Sequence, residues 1–322
     1  MIPLRLIEQA EERIRPHLPV TPLRYDPYLD VYLKLDNRQV TGSFKARGAL
    51  NKILSLSREE LARELVAASA GNHGQGVALA AGKAGAKAII FASEQTVPAK
   101  SKSMRGLGAE VRLIAGGYGE AEQAALEYVR QSGGVWVSPY NDPLVIAGQG
   151  TLGLEVDRQL PPEISGPVLI PVGGGGLLSG AGSALKEKRP QLEIISVQPA
   201  ASAFMHAMLS KGSMRDVPDL PTLADGLAGP LEEDSQTIPI AKQILDHFVL
   251  VDETEIAQAI AYAWYAYQEK IEGAAAVTLA AVLSGKVTQR PAILIFSGGN
   301  IQPEVHARLL EEYASEYGEL GR

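Results

Sequence analysis

Cysteine is absent from the 322-residue sequence, and its absence excludes several kinds of site. Disulfide frameworks, thiolate nucleophiles, iron–sulfur clusters and zinc sites with cysteine ligands all require thiol groups. An excess of positive charge is lacking as well, since 30 Lys and Arg residues stand against 37 Asp and Glu residues, a formal net charge of −7. We therefore expect neither nucleic acid nor an anionic membrane surface as a partner, because both attract basic proteins.

The sequence also lacks an uninterrupted apolar segment of the kind that secretion or membrane insertion requires. Near the N-terminus, Glu8, Glu11 and Glu12 interrupt the stretch that would have to be the apolar part of a secretion signal. Residues 164–185 carry no charge and have the length of a membrane span, but two prolines and four consecutive glycines interrupt them. We expect a cytoplasmic protein in which this segment forms a strand, a loop and a helix.

The composition is that of a folded globular protein, with 46% hydrophobic and 21% charged residues. Short runs typical of strands alternate with longer helical patterns, which predicts βαβ units and therefore an α/β fold with parallel sheets. The predicted strands cover residues 31–35, 65–69, 86–92, 110–114, 134–137, 168–172, 193–197, 248–251 and 292–296.

These strands are too many for one compact sheet of the usual size, and those between residues 65 and 137 follow one another at short, regular intervals. We therefore predict two domains with open twisted sheets flanked by helices. Residues 1–60 and 143–322 would form a large domain, and residues 61–142 a small domain inserted into it. Ligands of such sheets bind at the carboxyl ends of the strands, so we expect the site in the cleft between the domains.

Lys45 lies in an unusual place for a lysine. It follows the capping sequence Thr41-Gly42-Ser43 and would stand in the first turn of a helix, where the positive end of the helix dipole disfavours its protonated form. A lysine with a lowered pKa is a good nucleophile toward carbonyl groups and a good proton carrier. The alternative is an ordinary surface lysine, and this segment alone does not decide between the two.

Residues 69–76 (SAGNHGQG) follow the apolar strand that begins at Leu65. Small residues at the start of a helix let backbone N–H groups approach an anion closely, and a carboxylate would suit this place. Asn72 adds a directional hydrogen-bond donor. The alternatives are a plain helix cap with glycine packing and a structural role for His73.

Four consecutive glycines at residues 173–176 follow another predicted strand. Their successive N–H groups would form an anion-binding concavity at a helix N-terminus, as a phosphate requires. A Walker loop needs a lysine after the last glycine, where this chain has Leu177, and a dinucleotide site needs an acidic residue near Gln198. A single phosphate group therefore fits better than a nucleotide.

Ser297 follows the last predicted strand, at the start of the segment Ser297-Gly298-Gly299-Asn300. It could donate a hydrogen bond to a ring nitrogen or cap the last helix. A reactive lysine, a carboxylate-sized anion site, a phosphate site and a terminal serine are together the parts of a pyridoxal 5′-phosphate enzyme that acts on an amino acid.

The order of these segments resembles the threonine dehydratase and serine racemase family of pyridoxal phosphate enzymes, whose fold is the tryptophan synthase β type. The resemblance covers nearly the whole chain, from residues 21–23 (TPL) through 145–151 (VIAGQGT) and 224–226 (ADG) to 297–300 (SGGN). Within the family, the sequence is most similar to a short dehydratase of the threonine ammonia-lyase kind.

The resemblance implies a role for each matching residue. Lys45 would form the internal aldimine with the cofactor and later remove the α-proton of the substrate. The other implied cofactor contacts are Phe44 beside the ring, Asn72 at the ring hydroxyl, Ser297 at the ring nitrogen, and Gly173, Gly174, Gly175, Gly176 and Leu177 at the phosphate. The residues implied to hold the substrate carboxylate are Ser69, Ala70, Gly71, Asn72 and His73.

The implied activity is β-elimination, in which L-threonine or L-serine is converted to a 2-keto acid and ammonia. Alternatives within the same fold are a dehydratase for 3-hydroxyaspartate, phenylserine or a hydroxyectoine-derived amino acid, an amino-acid racemase, and a β-replacement enzyme of the cysteine synthase or threonine synthase kind. Serine racemases carry a serine where this chain has Ala70, which favours the dehydratases. A binding protein that has kept the fold without catalysis is disfavoured by the intact Lys45.

Two further expectations concern a metal and a partner subunit. Relatives with a divalent-cation site carry acidic residues just after the strand at 193–197, whereas residues 198–204 of this chain are all neutral, so we expect no such site. A helix over residues 255–270 carries several aromatic side chains, which predicts core packing or, alternatively, a homodimer interface. A homodimer is the expected assembly.

Overall fold

The structure is a computed structural model that describes residues 1–320, and it confirms an α/β fold with two β-sheets flanked by helices. The strands are β1 (Leu23–Asp26), β2 (Val31–Leu35), β3 (Leu65–Ala68), β4 (Ala88–Ser93), β5 (Glu110–Ile114), β6 (Val135–Trp136), β7 (Val168–Pro171), β8 (Ile194–Pro199), β9 (His247–Val251) and β10 (Ala292–Phe296). The helices are α1 (Leu4–Ile14), α2 (Lys45–Leu54), α3 (Arg58–Leu61), α4 (Asn72–Ala84), α5 (Pro98–Gly106), α6 (Tyr118–Ser132), α7 (Pro143–Gln159), α8 (Gly176–Lys188), α9 (Phe204–Lys211), α10 (Thr237–Ile244), α11 (Glu253–Tyr267), α12 (Gly273–Leu283), α13 (Pro303–Glu312) and α14 (Ala314–Tyr317).

The larger sheet has the strand order β1-β2-β10-β7-β8-β9, and all of its neighbouring strands are parallel except the antiparallel pair β1 and β2. The sequence does not predict β1, because this short edge strand buries only one of its side chains, that of Asp26. Every predicted strand is present. The bounds of β2, β5 and β10 match the prediction, and the others differ by one or two residues at one or both ends.

The smaller sheet has the order β5-β4-β3-β6 and is parallel throughout. Its strands all lie within residues 61–142, the segment predicted as the small domain. Its apolar core extends beyond that segment, because it includes Ala46, Leu50 and Ile53 of α2. The division into domains at these bounds stays a prediction.

Helix α2, which begins at Lys45, is held between two other helices at very short distances. A Cβ atom on Gly48 would lie 2.8 Å from the carbonyl oxygen of Val145 in α7, and one on Gly76 of α4 would lie 3.1 Å from the carbonyl carbon of Lys45. At Gly48 a side chain would force the backbone of α7 to move, and at Gly76 the backbone of Lys45 would have to shift by a few tenths of an ångström. The start of α2 is therefore fixed relative to both sheets.

A cluster of buried charges also anchors α2; we call it the Arg47 cluster and define it as Thr21, Lys34, Asp36, Arg47 and Glu155. Arg47 Nε lies 2.8 Å from Asp36 Oδ2, and Arg47 Nη1 lies 2.7 Å from Glu155 Oε1. Lys34 Nζ lies 2.6 Å from the other oxygen of Glu155. The cluster joins β2, α2 and α7, and every charge in it has an opposite partner, as buried charges require.

The aromatic side chains of α11 serve mainly in the core. Tyr262 and Tyr267 are buried in the apolar cluster beneath the larger sheet, and Tyr267 Oη donates a hydrogen bond of 2.6 Å to Asp26. Tyr262 and Tyr267 therefore pack in the core, as predicted, whereas Trp264 and Tyr265 are partly exposed. A homodimer interface on this helix stays a prediction. None of the helices within residues 1–320 is long and apolar enough to cross a membrane.

Candidate active site

The segments that contain Lys45 and Ser297 are paired through their backbones. The N–H group of Phe44 donates a hydrogen bond of 3.0 Å to the carbonyl oxygen of Ser297, and the N–H group of Gly299 donates one of 2.9 Å to that of Gly42. Ser297 directly follows β10, which neighbours β7 in the sheet, and the four glycines follow β7. The sheet topology thus brings three of the predicted segments to one edge.

Lys45 is the first residue of α2, and its amine lies between the two sheets. Lys45 Nζ donates a hydrogen bond of 2.8 Å to the carbonyl oxygen of Pro139 and lies 5.2 Å from the centre of the Phe44 ring. Burial lowers the pKa of Lys45 to about 8, although the nearby carboxylate of Glu272 acts in the opposite direction. The lowered pKa predicted from the helix dipole is present, but burial is its main cause.

The four glycines form a tight turn that leads into α8. Gly175 has a φ of +84°, a conformation that favours glycine, and it directly precedes the helix. A Cβ atom on Gly174 would lie 2.5 Å from the ring of Tyr140, so a larger residue there would displace the ring. The first N–H groups of α8, including that of Leu177, have no acceptor within the helix. This turn fits a phosphate group, because its glycines have no side chains of their own to keep the backbone N–H groups from an anion.

Pro139 and Tyr140 connect the lysine to this turn. Pro139 accepts the hydrogen bond from Lys45, and the Tyr140 side chain covers Gly174 and Gly176. Tyr140 Oη in turn accepts a hydrogen bond of 3.0 Å from the N–H group of Glu232. No feature of the sequence indicated this role, because the contacts join segments that are distant along the chain.

Residues 69–73 form the turn between β3 and α4. Ser69 Oγ accepts a hydrogen bond of 3.0 Å from the N–H group of Gly71, while Ala70 lies on the turn, partly exposed. The N–H groups of Asn72 and His73 begin α4, where the helix provides no acceptor for them. An anion at this turn would therefore meet two backbone donors of the helix at the positive end of its dipole.

The imidazole ring of His73 forms a hydrogen bond with the backbone of another segment. Its Nε2 lies 2.8 Å from the carbonyl oxygen of Val137, and the residue is buried. Burial lowers the pKa of His73 to about 3, and the positive charge of Lys45 acts in the same direction. The ring is therefore neutral at physiological pH, so His73 can offer a carboxylate its backbone N–H but not a cationic side chain.

Two residues beside Asn72 have no predicted role from the sequence. Asn72 Nδ2 donates a hydrogen bond of 2.6 Å to Glu272 Oε1, and Asn72 Oδ1 accepts one of 2.7 Å from Asn300 Nδ2. In a sequence, an acidic residue before an apolar helix suggests a helix cap. Glu272 directly precedes α12, but its side chain makes no capping hydrogen bond. Its carboxylate turns toward Asn72 instead, and burial raises the pKa of Glu272 to about 7.

The neutral residues 198–204 begin inside β8, which extends to Pro199. Gln198 is buried, and its Oε1 accepts a hydrogen bond of 2.8 Å from the backbone N–H of His206. Among residues 1–320, no group of three or more histidine, aspartate or glutamate side chains is placed to hold a metal ion.

The residues present fit pyridoxal 5′-phosphate, since they include a buried amine of lowered pKa, a glycine turn suited to a phosphate and the carboxamide of Asn72. Comparison with known proteins agrees with this chemistry. Residues 14–298 match the family model described as "Pyridoxal-phosphate dependent enzyme". An L-threonine ammonia-lyase of Geobacter sulfurreducens is 41% identical over 319 residues, which cover 97% of this chain and 79% of that protein.

Solved structures give the same result. The processed form of threonine deaminase isoform 2 from Solanum lycopersicum superposes with a TM-score of 0.87 at 33% identity, covering 96% of this chain and 92% of that one. A maize serine racemase superposes with a TM-score of 0.88 at 28% identity, covering 98% of both chains.

These comparisons confirm the predicted cofactor, pyridoxal 5′-phosphate, and the predicted class of enzyme, an ammonia-lyase. They also confirm the type of fold that the sequence motifs indicated. By its motifs, its fold and its relatives, the chain belongs to the pyridoxal-phosphate dependent enzymes, in the threonine dehydratase and serine racemase family.

Proposed function

We propose that this protein converts L-threonine or L-serine to a 2-keto acid and ammonia at the site around Lys45. The observation that carries the proposal is the amine of Lys45, which is buried and has a lowered pKa. It is hydrogen-bonded to Pro139, next to the tyrosine that packs on the glycine turn. Among the relatives, the L-threonine ammonia-lyase of Geobacter sulfurreducens and the threonine deaminase of Solanum lycopersicum support threonine as the substrate.

We assign the cofactor contacts as the family resemblance implies. Residues 173–177 hold the phosphate through backbone N–H groups, Phe44 packs beside the ring, Asn72 donates to the ring hydroxyl and Ser297 meets the ring nitrogen. When bound, the cofactor supplies an electron sink for the bond that breaks at the substrate α-carbon. Because Ser297 is neutral, it provides no charge to keep the ring nitrogen protonated, which favours elimination over transamination.

Lys45 and the turn at residues 69–73 act on the substrate. The backbone N–H groups of Asn72 and His73 bind the substrate carboxylate and fix the direction of the α-carbon. Lys45 in its neutral form removes the proton from that carbon, which a pKa of about 8 permits near neutral pH. The β-hydroxyl leaves as water. Hydrolysis of the resulting enamine consumes one water and releases ammonia. Threonine therefore yields 2-oxobutanoate and ammonia, and the water released equals the water consumed.

The geometry at Ala70 disfavours the racemase alternative. Racemisation requires a second acid–base group on the opposite face of the substrate, and the methyl group of Ala70 can neither accept nor donate a proton. The proposal also includes a small substrate-clamping domain of residues 61–142 and a large cofactor-binding domain of residues 1–60 and 143–322. It further includes a homodimer and a cytoplasmic location. No side chain on residues 69–73 distinguishes threonine from 3-hydroxyaspartate, phenylserine or a hydroxyectoine-derived amino acid.

The test is a substrate panel with the purified holoenzyme. L-Threonine, L-serine and L-threo-3-hydroxyaspartate are each added, and the 2-keto acid, the ammonia and the two enantiomers of the remaining amino acid are measured. We expect equal amounts of keto acid and ammonia from threonine or serine, with the remaining amino acid still in its L form. Rapid formation of the D enantiomer without keto acid would contradict the proposal, and so would turnover of 3-hydroxyaspartate alone.

A further inference from the structure

A continuous chain of hydrogen bonds crosses the site and ends at Glu272. Asn300 Nδ2 donates to the carbonyl oxygen of Thr41 at 2.8 Å and to Asn72 Oδ1 at 2.7 Å. Asn72 Nδ2 then donates to Glu272 Oε1 at 2.6 Å. The chain therefore connects the segment before Lys45, the segment after Ser297, the start of α4 and the start of α12.

The chemistry of its two ends gives this chain one direction. Above its pKa of about 7 the carboxylate of Glu272 is ionised, and it can then only accept hydrogen bonds, as the carbonyl oxygen of Thr41 does at any pH. Asn300 must therefore turn its NH₂ group toward Thr41, and Asn72 must turn its NH₂ group toward Glu272. Both N–H bonds of Asn300 are then used, whereas Asn72 keeps one N–H bond that can donate to a third partner.

Glu272 has no other function in the structure that would explain its position. It is 9% exposed, and its carboxylate does not cap α12. A Cβ atom on Gly298 would lie 2.3 Å from Glu272 Oε1, so the carboxylate is held tightly against the segment that follows Ser297. The charged groups that face it are Lys45 of α2, Lys100 of α5 and Asp225. The negative charge of Asp225 adds to burial in raising the pKa of Glu272.

We propose that Glu272 and Asn300 are positioning residues that fix the carboxamide of Asn72, so that its free N–H bond is available to the ring hydroxyl of pyridoxal phosphate. This inference rests on the proposed function, because it takes Asn72 as the partner of the cofactor ring. Without either neighbour, the carboxamide can rotate and present its oxygen to the ring hydroxyl. The hydrogen bond from Asn72 would then lose its fixed direction.

The test compares two ligands of the apoenzyme, pyridoxal 5′-phosphate and its 3-deoxy analogue, which lacks only the ring hydroxyl. We expect the parent protein to bind the analogue about tenfold more weakly, the effect of one hydrogen bond in a buried site. In Glu272→Ala and in Asn300→Ala, this ratio of dissociation constants should fall to between one and three. A loss of stability alone would weaken the binding of both ligands and leave the ratio unchanged.

Glu269→Ala provides the matched control. Glu269 is also a buried glutamate and accepts a hydrogen bond of 2.8 Å from an asparagine side chain, that of Asn37, but it lies outside the chain of hydrogen bonds. This control should keep the parental ratio. The two variants break the chain at different links, so either one alone decides the question if the other does not fold.

Each outcome has a defined meaning. If both variants keep the ratio of dissociation constants of the parent protein, the positioning role is overturned. It is also overturned if that ratio is already near one in the parent protein. In both cases the proposed function would stand. A parent protein that binds neither ligand would contradict the proposed function itself, and this inference with it.

Discussion

At the scale of single residues, the reactivity of Lys45 depends on two opposing effects. Burial lowers its pKa to about 8, while the carboxylate of Glu272 raises it. A lysine with an ordinary pKa of about 10.4 has a neutral amine in fewer than about one molecule in a thousand at pH 7. With a pKa of about 8, roughly a tenth of the amines are neutral at that pH, so Lys45 can react as a nucleophile and as a base.

The capture of cofactor by the apoenzyme should follow this titration. Only the neutral amine attacks an aldehyde, so we expect the rate constant for capture of pyridoxal phosphate to rise with pH through a midpoint near 8. In Glu272→Gln the midpoint should lie lower, because the charge that raises the pKa of Lys45 is gone. Stopped-flow absorbance between pH 6 and about 10 measures both. A midpoint near that of free lysine would show that burial does not control the amine.

Lys45 could be identified from the sequence, but the cause of its low pKa could not. The residues before Lys45 indicate a helix start, which is local information, whereas its burial depends on α4, α7 and the strand ends around it. The same holds for Glu272, which contacts Asn72 across 200 positions of the chain. A contact of that kind has no local pattern, and a glutamate before an apolar helix has a simpler explanation as a cap.

At the scale of elements, the shape of the turn before α8 depends both on its four glycines and on the packing of Tyr140 against them. The four glycines themselves indicate an anion site, and this is why the sequence predicts it. The structure adds Tyr140, which leaves no space for a side chain at Gly174. The geometry of the turn therefore depends on a residue from the connection between β6 and α7, which the sequence does not associate with it.

Gly174→Ala should impair phosphate binding more than stability. The added Cβ would lie 2.5 Å from the Tyr140 ring, so either the ring or the turn must move. We expect the dissociation constant of pyridoxal phosphate to rise at least about tenfold. Gly119→Ala is the control, because no atom lies within 4 Å of the added Cβ in α6. Equal affinities for both variants, measured by fluorescence titration, would argue against a phosphate site at this turn.

At the scale of the whole molecule, the Arg47 cluster joins β2, α2 and α7, elements that are distant along the chain. Burial raises the pKa of Glu155, but the charges of Arg47 and Lys34 outweigh this effect and lower it below its usual value. Burial likewise raises the pKa of Asp36, and the charge of Arg47 again outweighs it and lowers that pKa. Both carboxylates therefore stabilise the fold above their unfolded pKa of about 4, and this contribution is lost as the pH falls below that value toward the folded pKa.

Glu155→Gln should lower the free energy of unfolding substantially. The variant leaves Lys34 and part of Arg47 without their buried partner, a change that typically costs about 3 kcal/mol or more. Its loss of stability on acidification should also be shallower than that of the parent. Urea unfolding at pH 7 and at about pH 4 tests both effects. Glu163→Gln, on the exposed surface, is the control and should leave both unchanged.

The fold class could be predicted from sequence because parallel strands and strand-to-helix turns repeat in a recognisable order. The edge strand β1 could not, because its side chains are mostly exposed and show no alternation of burial. The Arg47 cluster escaped prediction for a different reason. Four of its five members are charged residues that the local pattern places on the surface, and only the packing of distant elements buries them.

The measurement that tests the central claim most directly is the yield of keto acid and ammonia from L-threonine in Lys45→Ala. Lys83→Ala is the control, since Lys83 is an exposed lysine on α4. We predict that the control has parental activity, whereas Lys45→Ala retains non-covalently bound pyridoxal phosphate but forms neither product above the background. Unchanged production of keto acid by Lys45→Ala would contradict the assignment of this lysine as the catalytic base and cofactor anchor.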